Sequence, residues 1–252
     1  KNAHLNINTG GLSMIIKVDI DVKEIEKFSA NMLVVHMIKE ALRNYDKEYF
    51  EHLYIVNNLA PNIFTFSVSG FDVFKTNQAN THFITEKGLK VFIQSADYKF
   101  IAILHNSLLK KKKYKYKSTN FILKSSKLLR EEKFEQSETV IIKTISPILV
   151  TDKDRKAINF KDEDKFKKCF NYMCNNLTQN FLNRNLYKEI DIVQIEAKTT
   201  LRSLMIHDNK YTFECNHGAF KLSGDKNDIE FLLEVGLGSR RSQGFGMVKR
   251  IF

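Results

Sequence analysis

Alternating and helical hydrophobic patterns follow one another along the first half of the chain and predict a mixture of strands and helices. Apolar and polar residues alternate over 14–20, which predicts a strand, and apolar residues at helical spacing predict a helix over about 22–45. The elements predicted next are strands over 52–56 and 63–69, a strand pair over about 82–94 that turns at Gly88, a helix over 97–109 and a strand over 121–129. This order, βαββαβ, is typical of a ferredoxin-like domain.

A polar stretch at 130–138 predicts a domain boundary, and the same order of elements follows it. The second half is predicted to hold a strand over 140–150 that runs through Pro147, a helix over 164–185, strands over about 190–199 and 211–222, a short helix over 225–236 and a basic strand over 247–252. We therefore expect an α+β chain of two tandem ferredoxin-like domains, 14–130 and 137–252, with a glycine-rich loop near the C-terminus. Residues 1–13 lack a hydrophobic period and are expected to be a tail or an added leader before a natural start at Met14.

Lys39 interrupts the apolar stripe of the first predicted helix. Phe28, Met32, Val35 and Leu42 step at helical spacing, and Lys39 fills the position between the last two. One interpretation is that the lysine stem is buried while its amine reaches water. The other is that the stripe borders a polar cleft.

Composition narrows the class of protein. A hydrophobic content of 43% with 27% charged residues is typical of a folded globular chain. We find no long apolar run, signal peptide or CxxC pair among the three cysteines, so we expect a cytoplasmic protein without a zinc ribbon or disulfide framework. The net charge of +11 favours a polyanionic partner, nucleic acid rather than membrane, although a composition rich in Asn, Lys and Ile offers a second explanation.

A glycine-rich loop lies close to the C-terminus. Four of the ten glycines fall within eleven residues, namely Gly236, Gly238, Gly244 and Gly246. A predicted helix precedes the loop and a strand follows it, which is the reverse of a dinucleotide-binding loop, and the GK[ST] of a Walker loop is absent. Glycines let a backbone approach a phosphate closely, and Arg240 and Arg241 add positive charge. The alternative is tight packing of helix on strand with no ligand.

The segment GLGSRRSQGFGMV at 236–248 resembles the signature glycine loop of the CRISPR-associated repeat-processing endoribonucleases, part of the repeat-associated mysterious protein superfamily. Four other segments resemble landmarks of that family in the same order along the chain. They are the FTFS strand at 64–67, the SPI strand at 144–150, the helix ending in Asn176-Leu177 and the strand at 218–224. The resemblance therefore covers most of residues 14–252.

The resemblance implies two ferredoxin-like domains with a cleft between them and a nuclease that needs no metal and no cofactor. In the family's reaction, the 2′-hydroxyl upstream of the scissile bond attacks the phosphorus and leaves a 2′,3′-cyclic phosphate and a 5′-hydroxyl. The implied partner is CRISPR repeat RNA, with other effector-complex subunits and a second copy of the chain as further candidates. A member that binds repeat RNA without cleaving it is the alternative function.

Such a reaction needs a base, an acid and a cation near the phosphoryl oxygens. The resemblance puts Lys39 in the family's tyrosine position and Tyr54 in its histidine position, so both depart from the usual pattern. If 52–56 is extended, His52 and Tyr54 share a face and we expect them to share the acid–base work, with Lys39 as the stabilising cation. If the segment is helical, the two side chains point to nearly opposite sides. His36, one helical turn from Lys39, is the second candidate, with an ordinary half-buried helix histidine as its alternative.

Basic residues at two places are predicted to bind RNA. The run at 110–117 interleaves lysines with tyrosines, which suits phosphates and stacked bases, although a solvated loop explains it equally well. The contacts predicted there are Lys111, Lys112, Lys113 and Lys115. Near the C-terminus, the resemblance implies contacts from the four loop glycines together with Arg240, Arg241, Lys249 and Arg250.

Overall fold

Two antiparallel sheets, one in each half of the chain, carry the fold. The structure is a computed structural model and describes residues 13–56, 60–70, 76–131 and 135–252. The leader expected at 1–13 therefore lies outside the described residues, apart from Ser13. Within the described ranges, no helix is both long and apolar enough to cross a membrane.

The first half builds a five-stranded sheet with two long helices. Its elements are β1 (Ser13–Asp21), β2 (Glu24–Glu26), α1 (Ala30–Tyr45), α2 (Lys47–Glu51), a π-helical turn (His52–Val56), β3 (Phe64–Ser69), β4 (His82–Ile84), β5 (Leu89–Ser95), α3 (Tyr98–Lys110), β6 (Lys113–Tyr116) and β7 (Thr119–Glu131). The strand order is β3-β5-β1-β7-β6, and β2 pairs separately with β4. One sheet face and helices α1 and α3 share a core that includes Val18, Val91, Met37 and Leu104.

The second half builds a four-stranded sheet. Its elements are β8 (Thr139–Thr144), β9 (Val150–Thr151), β10 (Ala157–Ile158), α4 (Glu163–Leu182), β11 (Asp191–Ile206), β12 (Asn209–Ser223), α5 (Lys226–Val235), a 3₁₀ turn (Arg241–Gln243) and β13 (Val248–Arg250). The strand order is β11-β12-β8-β13. A second core joins this sheet to α4 and α5 and includes Phe170, Phe220 and Leu232.

The two sheets repeat one topology. In each half, counting only the strands that flank the two main helices, the second strand pairs with the third, the third with the first and the first with the fourth. β6 extends the first sheet beyond its fourth strand. The predicted mixture of α and β structure is confirmed.

The first helix is shorter than predicted, and its buried face differs from the predicted stripe. The residues before α1 form β2 instead, and Phe28 takes a left-handed φ of 66° that interrupts any helix there. The buried residues of α1 are Ala30, Leu33, Val34, Met37, Ile38, Ala41 and Leu42. Lys39 therefore lies at the border of the buried face and not within it.

The strand predicted over 52–56 is wrong. Asp46 caps a new helical run, because its side chain accepts a hydrogen bond from the N–H of Tyr49 at 2.9 Å. This run continues through α2 directly into the π-helical turn. The apolar alternation of HLYIV is too short to distinguish a strand from such a turn.

Two further strand predictions need correction. The strands predicted over 82–94 form, but β4 pairs with β2 while β5 lies between β1 and β3. The strand predicted over 140–150 ends at Thr144. Pro147 has no N–H to donate to a ladder, and its carbonyl instead accepts the N–H of Gly246 at 2.8 Å.

Candidate active site

A cleft of about 540 Å³ opens between α1 and the segment that follows α3. One wall comes from α1, where helical spacing places His36, Lys39, Glu40 and Arg43 on one side. The other wall includes three of the lysines predicted to bind RNA, Lys111, Lys113 and Lys115. The structure thus brings one predicted catalytic cation and one predicted histidine together with part of the predicted RNA-binding run.

The centre of the lysine run, Lys113–Tyr116, is strand β6 and not a solvated loop. In β6, side chains alternate, so Lys113 and Lys115 are exposed while Tyr114 is buried and stacks on Phe121 at 5.5 Å between ring centroids. Tyr114 belongs to the core, and the base-stacking role predicted for the interleaved tyrosines does not suit it. Lys112 lies outside the cleft lining, and its Nζ donates to the Leu108 carbonyl at 3.3 Å.

His36 is held between two elements. Its Nε2 lies 3.4 Å from Oε2 of Glu40, and its ring lies 5.5 Å from the ring of Tyr116 on β6. The His36 side chain is 42% exposed, so the imidazole is accessible from the cleft. His36 is thus a half-buried helix histidine, as the alternative interpretation of the sequence held, but it also lines a basic cleft.

Lys39 lies over the ring of Tyr54, with 4.9 Å between its Nζ and the ring centroid. Burial, and then the nearby Arg43, lower the pKa of Lys39. Its position at the edge of the cleft agrees with the second interpretation of the interrupted stripe, a polar cleft along α1.

Tyr54 points inward. Its ring packs against Phe50 at 5.1 Å, and its hydroxyl is buried without a hydrogen-bond partner among the described residues. Burial raises the pKa of this hydroxyl, so it resists ionisation. The face that His52 and Tyr54 were expected to share requires an extended chain, and the π-helical turn at His52–Val56 does not provide it.

The glycine loop packs against both halves of the protein. The N–H of Ser239 donates to the Leu149 carbonyl at 2.8 Å, and the Phe245 carbonyl accepts the hydroxyl of Thr65 on β3 at 2.8 Å. Gly246 has a φ of 72°, and a Cβ built there would lie 1.9 Å from the Leu237 carbonyl oxygen. The packing alternative therefore accounts for Gly246 without a ligand.

The two arginines of the glycine loop differ in how deeply their side chains are buried. Arg241 is 4% exposed, and its guanidinium donates to the carbonyls of Val235 at 2.5 Å and Asn62 at 2.7 Å. Burial lowers its pKa to about 10. This buried position corrects the predicted RNA contact by Arg241, because the guanidinium is already used to join the two halves. Arg240 is half-buried over the ring of Phe213 at 4.6 Å.

Lys249 is exposed on β13, and Arg250 donates from Nη1 to the Glu135 carbonyl at 2.8 Å.

Two features of the candidate site were missed by sequence reasoning. One is Glu40, whose signal was its i,i+4 spacing from His36. The other is a cavity of about 440 Å³ between the halves, lined in part by Phe28, Pro147 and Phe245, residues distant in sequence. Within the described ranges, no three His, Cys, Asp or Glu side chains form a group that could hold a metal ion.

Comparison with known proteins finds similar CRISPR-associated proteins. Residues 129–250 match the family described as "CRISPR associated protein Cas6, C-terminal". A curated relative, "CRISPR-associated endoribonuclease Cas6 1" of Methanocaldococcus jannaschii, is 27% identical over 195 residues, which cover 72% of this chain and 74% of the relative. The second half thus resembles the C-terminal part of CRISPR-associated Cas6 proteins.

Solved structures extend the likeness over the whole fold. "Characterization of a Cas6-related gene from Pyrococcus furiosus" has a TM-score of 0.76 and 20% identity, covering 95% of this chain and 98% of that one. "An RAMP protein binding different RNA substrates" has a TM-score of 0.73 and 18% identity, covering 96% and 100%. These likenesses show that the chain shares the fold of these proteins, and residues 129–250 carry the match to the Cas6 C-terminal family.

Proposed function

We propose that this chain is an endoribonuclease that binds CRISPR repeat RNA and cuts the precursor transcript into guide RNAs. The 27% identical relative is named as an endoribonuclease, which supports an RNA-cleaving activity. The observation that carries the proposal is the cleft on α1, where a histidine lies among five cations, namely Lys39, Arg43, Lys111, Lys113 and Lys115. A polyanion with a reactive hydroxyl matches that combination.

The proposed reaction is metal-independent transesterification. The 2′-hydroxyl loses its proton, its oxygen bonds to the phosphorus, and the 5′ oxygen leaves and takes a proton, which yields a 2′,3′-cyclic phosphate and a 5′-hydroxyl. We assign the proton transfer to His36, because its imidazole is accessible from the cleft. Lys39 lies one turn away and would stabilise charge on the phosphoryl oxygens. His52 and Tyr54 are retained as the competing assignment.

The same proposal includes the domain organisation. The repeated strand order in the two sheets supports two tandem ferredoxin-like domains, with the boundary in the polar stretch at 130–138. The RNA would contact the cleft lysines and three basic residues near the C-terminus, the exposed Lys249 and the half-buried Arg240 and Arg250. Effector-complex subunits and a second copy of the chain remain predicted partners.

The test is cleavage of the cognate repeat RNA by purified protein in EDTA, with the product ends mapped. One cut with a 2′,3′-cyclic phosphate is expected, and a requirement for added metal would contradict the mechanism. H36A and K39M should slow the single-turnover rate, whereas H52A and Y54F should leave it near that of the wild type. A rate loss confined to H52A and Y54F would restore the competing assignment.

A second function, repeat binding without cleavage, is favoured by one observation. The hydroxyl of Tyr54, which stands in the family's histidine position, is buried away from the cleft in this structure. Tight, salt-sensitive binding of repeat RNA with no cut would establish this function. The presence of Lys39 and Tyr54 in place of the family's usual tyrosine and histidine would then explain the loss of RNA cleavage.

A further inference from the structure

Glu40 is the only carboxylate among the described residues that line the α1 cleft. Its two oxygens have different partners. Oε2 lies 3.4 Å from Nε2 of His36, and Oε1 accepts a hydrogen bond from Nζ of Lys111 at 2.5 Å. The Glu40 side chain is 27% exposed, which leaves it partly shielded from water.

Lys111 reaches Glu40 because the two long helices of the first half are fixed against each other. Lys111 is the C-terminal cap of α3, and one turn earlier the Ser107 hydroxyl donates to the carbonyl of Ala41 at 2.7 Å in a buried contact. That contact is adjacent in sequence to Glu40. The carboxylate is therefore held in place by a cation from a second element.

A bare carboxylate is unfavourable in a cleft that binds RNA, because it repels phosphate. Lys111 offsets this repulsion, but the neutral alternative, glutamine, would avoid it altogether. The contact with His36 explains why a carboxylate is present at this position. An ion pair across 3.4 Å stabilises the imidazolium that forms when His36 takes a proton, and it restrains the ring against Tyr116.

We propose that Glu40 is a positioning residue that holds His36 and stabilises its protonated form during cleavage. This inference rests on the proposed function, in which His36 transfers the proton. It predicts opposite effects on binding and on chemistry. Loss of the Glu40 charge should favour RNA binding and disfavour cleavage.

The experiment compares wild type, E40Q, H36A and the double variant E40Q/H36A in single-turnover cleavage in EDTA and in RNA binding. E40Q should lower the rate by roughly 10–100-fold, the value of one hydrogen bond to a charged group, while affinity stays equal or becomes tighter. In the H36A background, E40Q should cost nothing further, because Glu40 acts through His36. E163Q is the matched control, since Glu163 pairs with Lys167 on α4 at 2.9 Å, away from the cleft.

Two results would overturn the inference. One is an E40Q rate equal to that of the wild type. The other is an equal loss from E40Q with and without His36, which would indicate a general structural effect. If the wild type does not cut, the nuclease proposal fails and Glu40 has no role in cleavage.

A titration of the His36 ring by NMR, without RNA, separates these failures. The groups around the ring are Glu40, Lys111, Lys39 and Tyr116. Removing the carboxylate should move the His36 titration to lower pH in E40Q, with no change in E163Q. An unchanged titration means that Glu40 does not hold the imidazolium, whatever the cleavage assay shows.

Discussion

The α1 cleft and the glycine loop both carry basic residues that the sequence predicts as RNA contacts, but they use positive charge differently. In the cleft, Lys113 and Lys115 are exposed on one face of β6. In the loop, Arg241 is buried, and two backbone carbonyls already accept its hydrogen bonds. A buried basic side chain whose hydrogen bonds are already accepted by the protein's own carbonyls, such as Arg241, is thus a weaker candidate for RNA binding than an exposed one.

The family landmarks show the same distinction. The FTFS strand, the SPI segment and the glycine loop meet at one place, where Thr65 bonds to the Phe245 carbonyl and Ser146 accepts the N–H of Met247 at 2.9 Å. Three of the segments that resemble the family's landmarks therefore form a packing centre between the halves. The chemistry is proposed for a different place, the cleft on α1.

The largest effect expected from this contrast is on catalysis. H36A should reduce the single-turnover rate by about 10²–10⁴-fold, because proton transfer typically contributes that much. The midpoint of urea unfolding should not change, since the His36 side chain is 42% exposed. A matched change at another helix histidine is H105A on α3. An equal rate loss in H105A would contradict the assignment.

The next effect is on stability, at the glycine loop. G246A should lower the free energy of unfolding by roughly 3–4 kcal/mol, because the new Cβ meets the Leu237 carbonyl oxygen at 1.9 Å and the φ is 72°. G224A is the control. There the new Cβ meets the flexible end of Ile190, and the cost should stay within about 1 kcal/mol. Equal urea midpoints for the two variants would show that the loop relaxes around Gly246.

R241M should lower the free energy of unfolding by less than G246A does. It should not change the RNA affinity measured with the folded protein. The Val235 and Asn62 carbonyls lose their donors, which should cost about 2–3 kcal/mol in urea unfolding. R240M should cost under about 1 kcal/mol, because Arg240 is half-buried over Phe213. Weaker RNA binding by folded R241M, with unchanged stability, would restore the RNA contact predicted for Arg241.

The sequence predicted the long, strongly patterned elements well. α3 and α5 appear at the predicted places, since the apolar positions of each face the core of its own half and Asp97 and Asp225 cap the two helices. β11 and β12 also form, although β11 extends to Ile206. The short segments were not predictable in this way. HLYIV alternates as a strand does, yet the cap at Asp46 begins a helical run that continues through it.

The candidate site was predicted only in part, for a related reason. Lys39 was noticed because it breaks an apolar stripe, and that signal is local. The pairing of Glu40 with Lys111 depends on how α3 packs against α1, and spacing along the chain does not encode it. Burial of Arg241 likewise depends on carbonyls from two distant segments, 62 and 235.

The smallest expected effect separates the two basic regions by their response to salt. K113Q should reduce the slope of log K against log salt by about 0.7, the value for one phosphate contact on a single strand. K249Q should do the same only if RNA also reaches β13, where Lys249 is exposed. K168Q, at an exposed lysine on α4, is the control and should leave the slope unchanged. If K113Q and K168Q give the same slope as the wild type while K249Q lowers it, the RNA is held near the glycine loop, and the cleft on α1 is not its binding site.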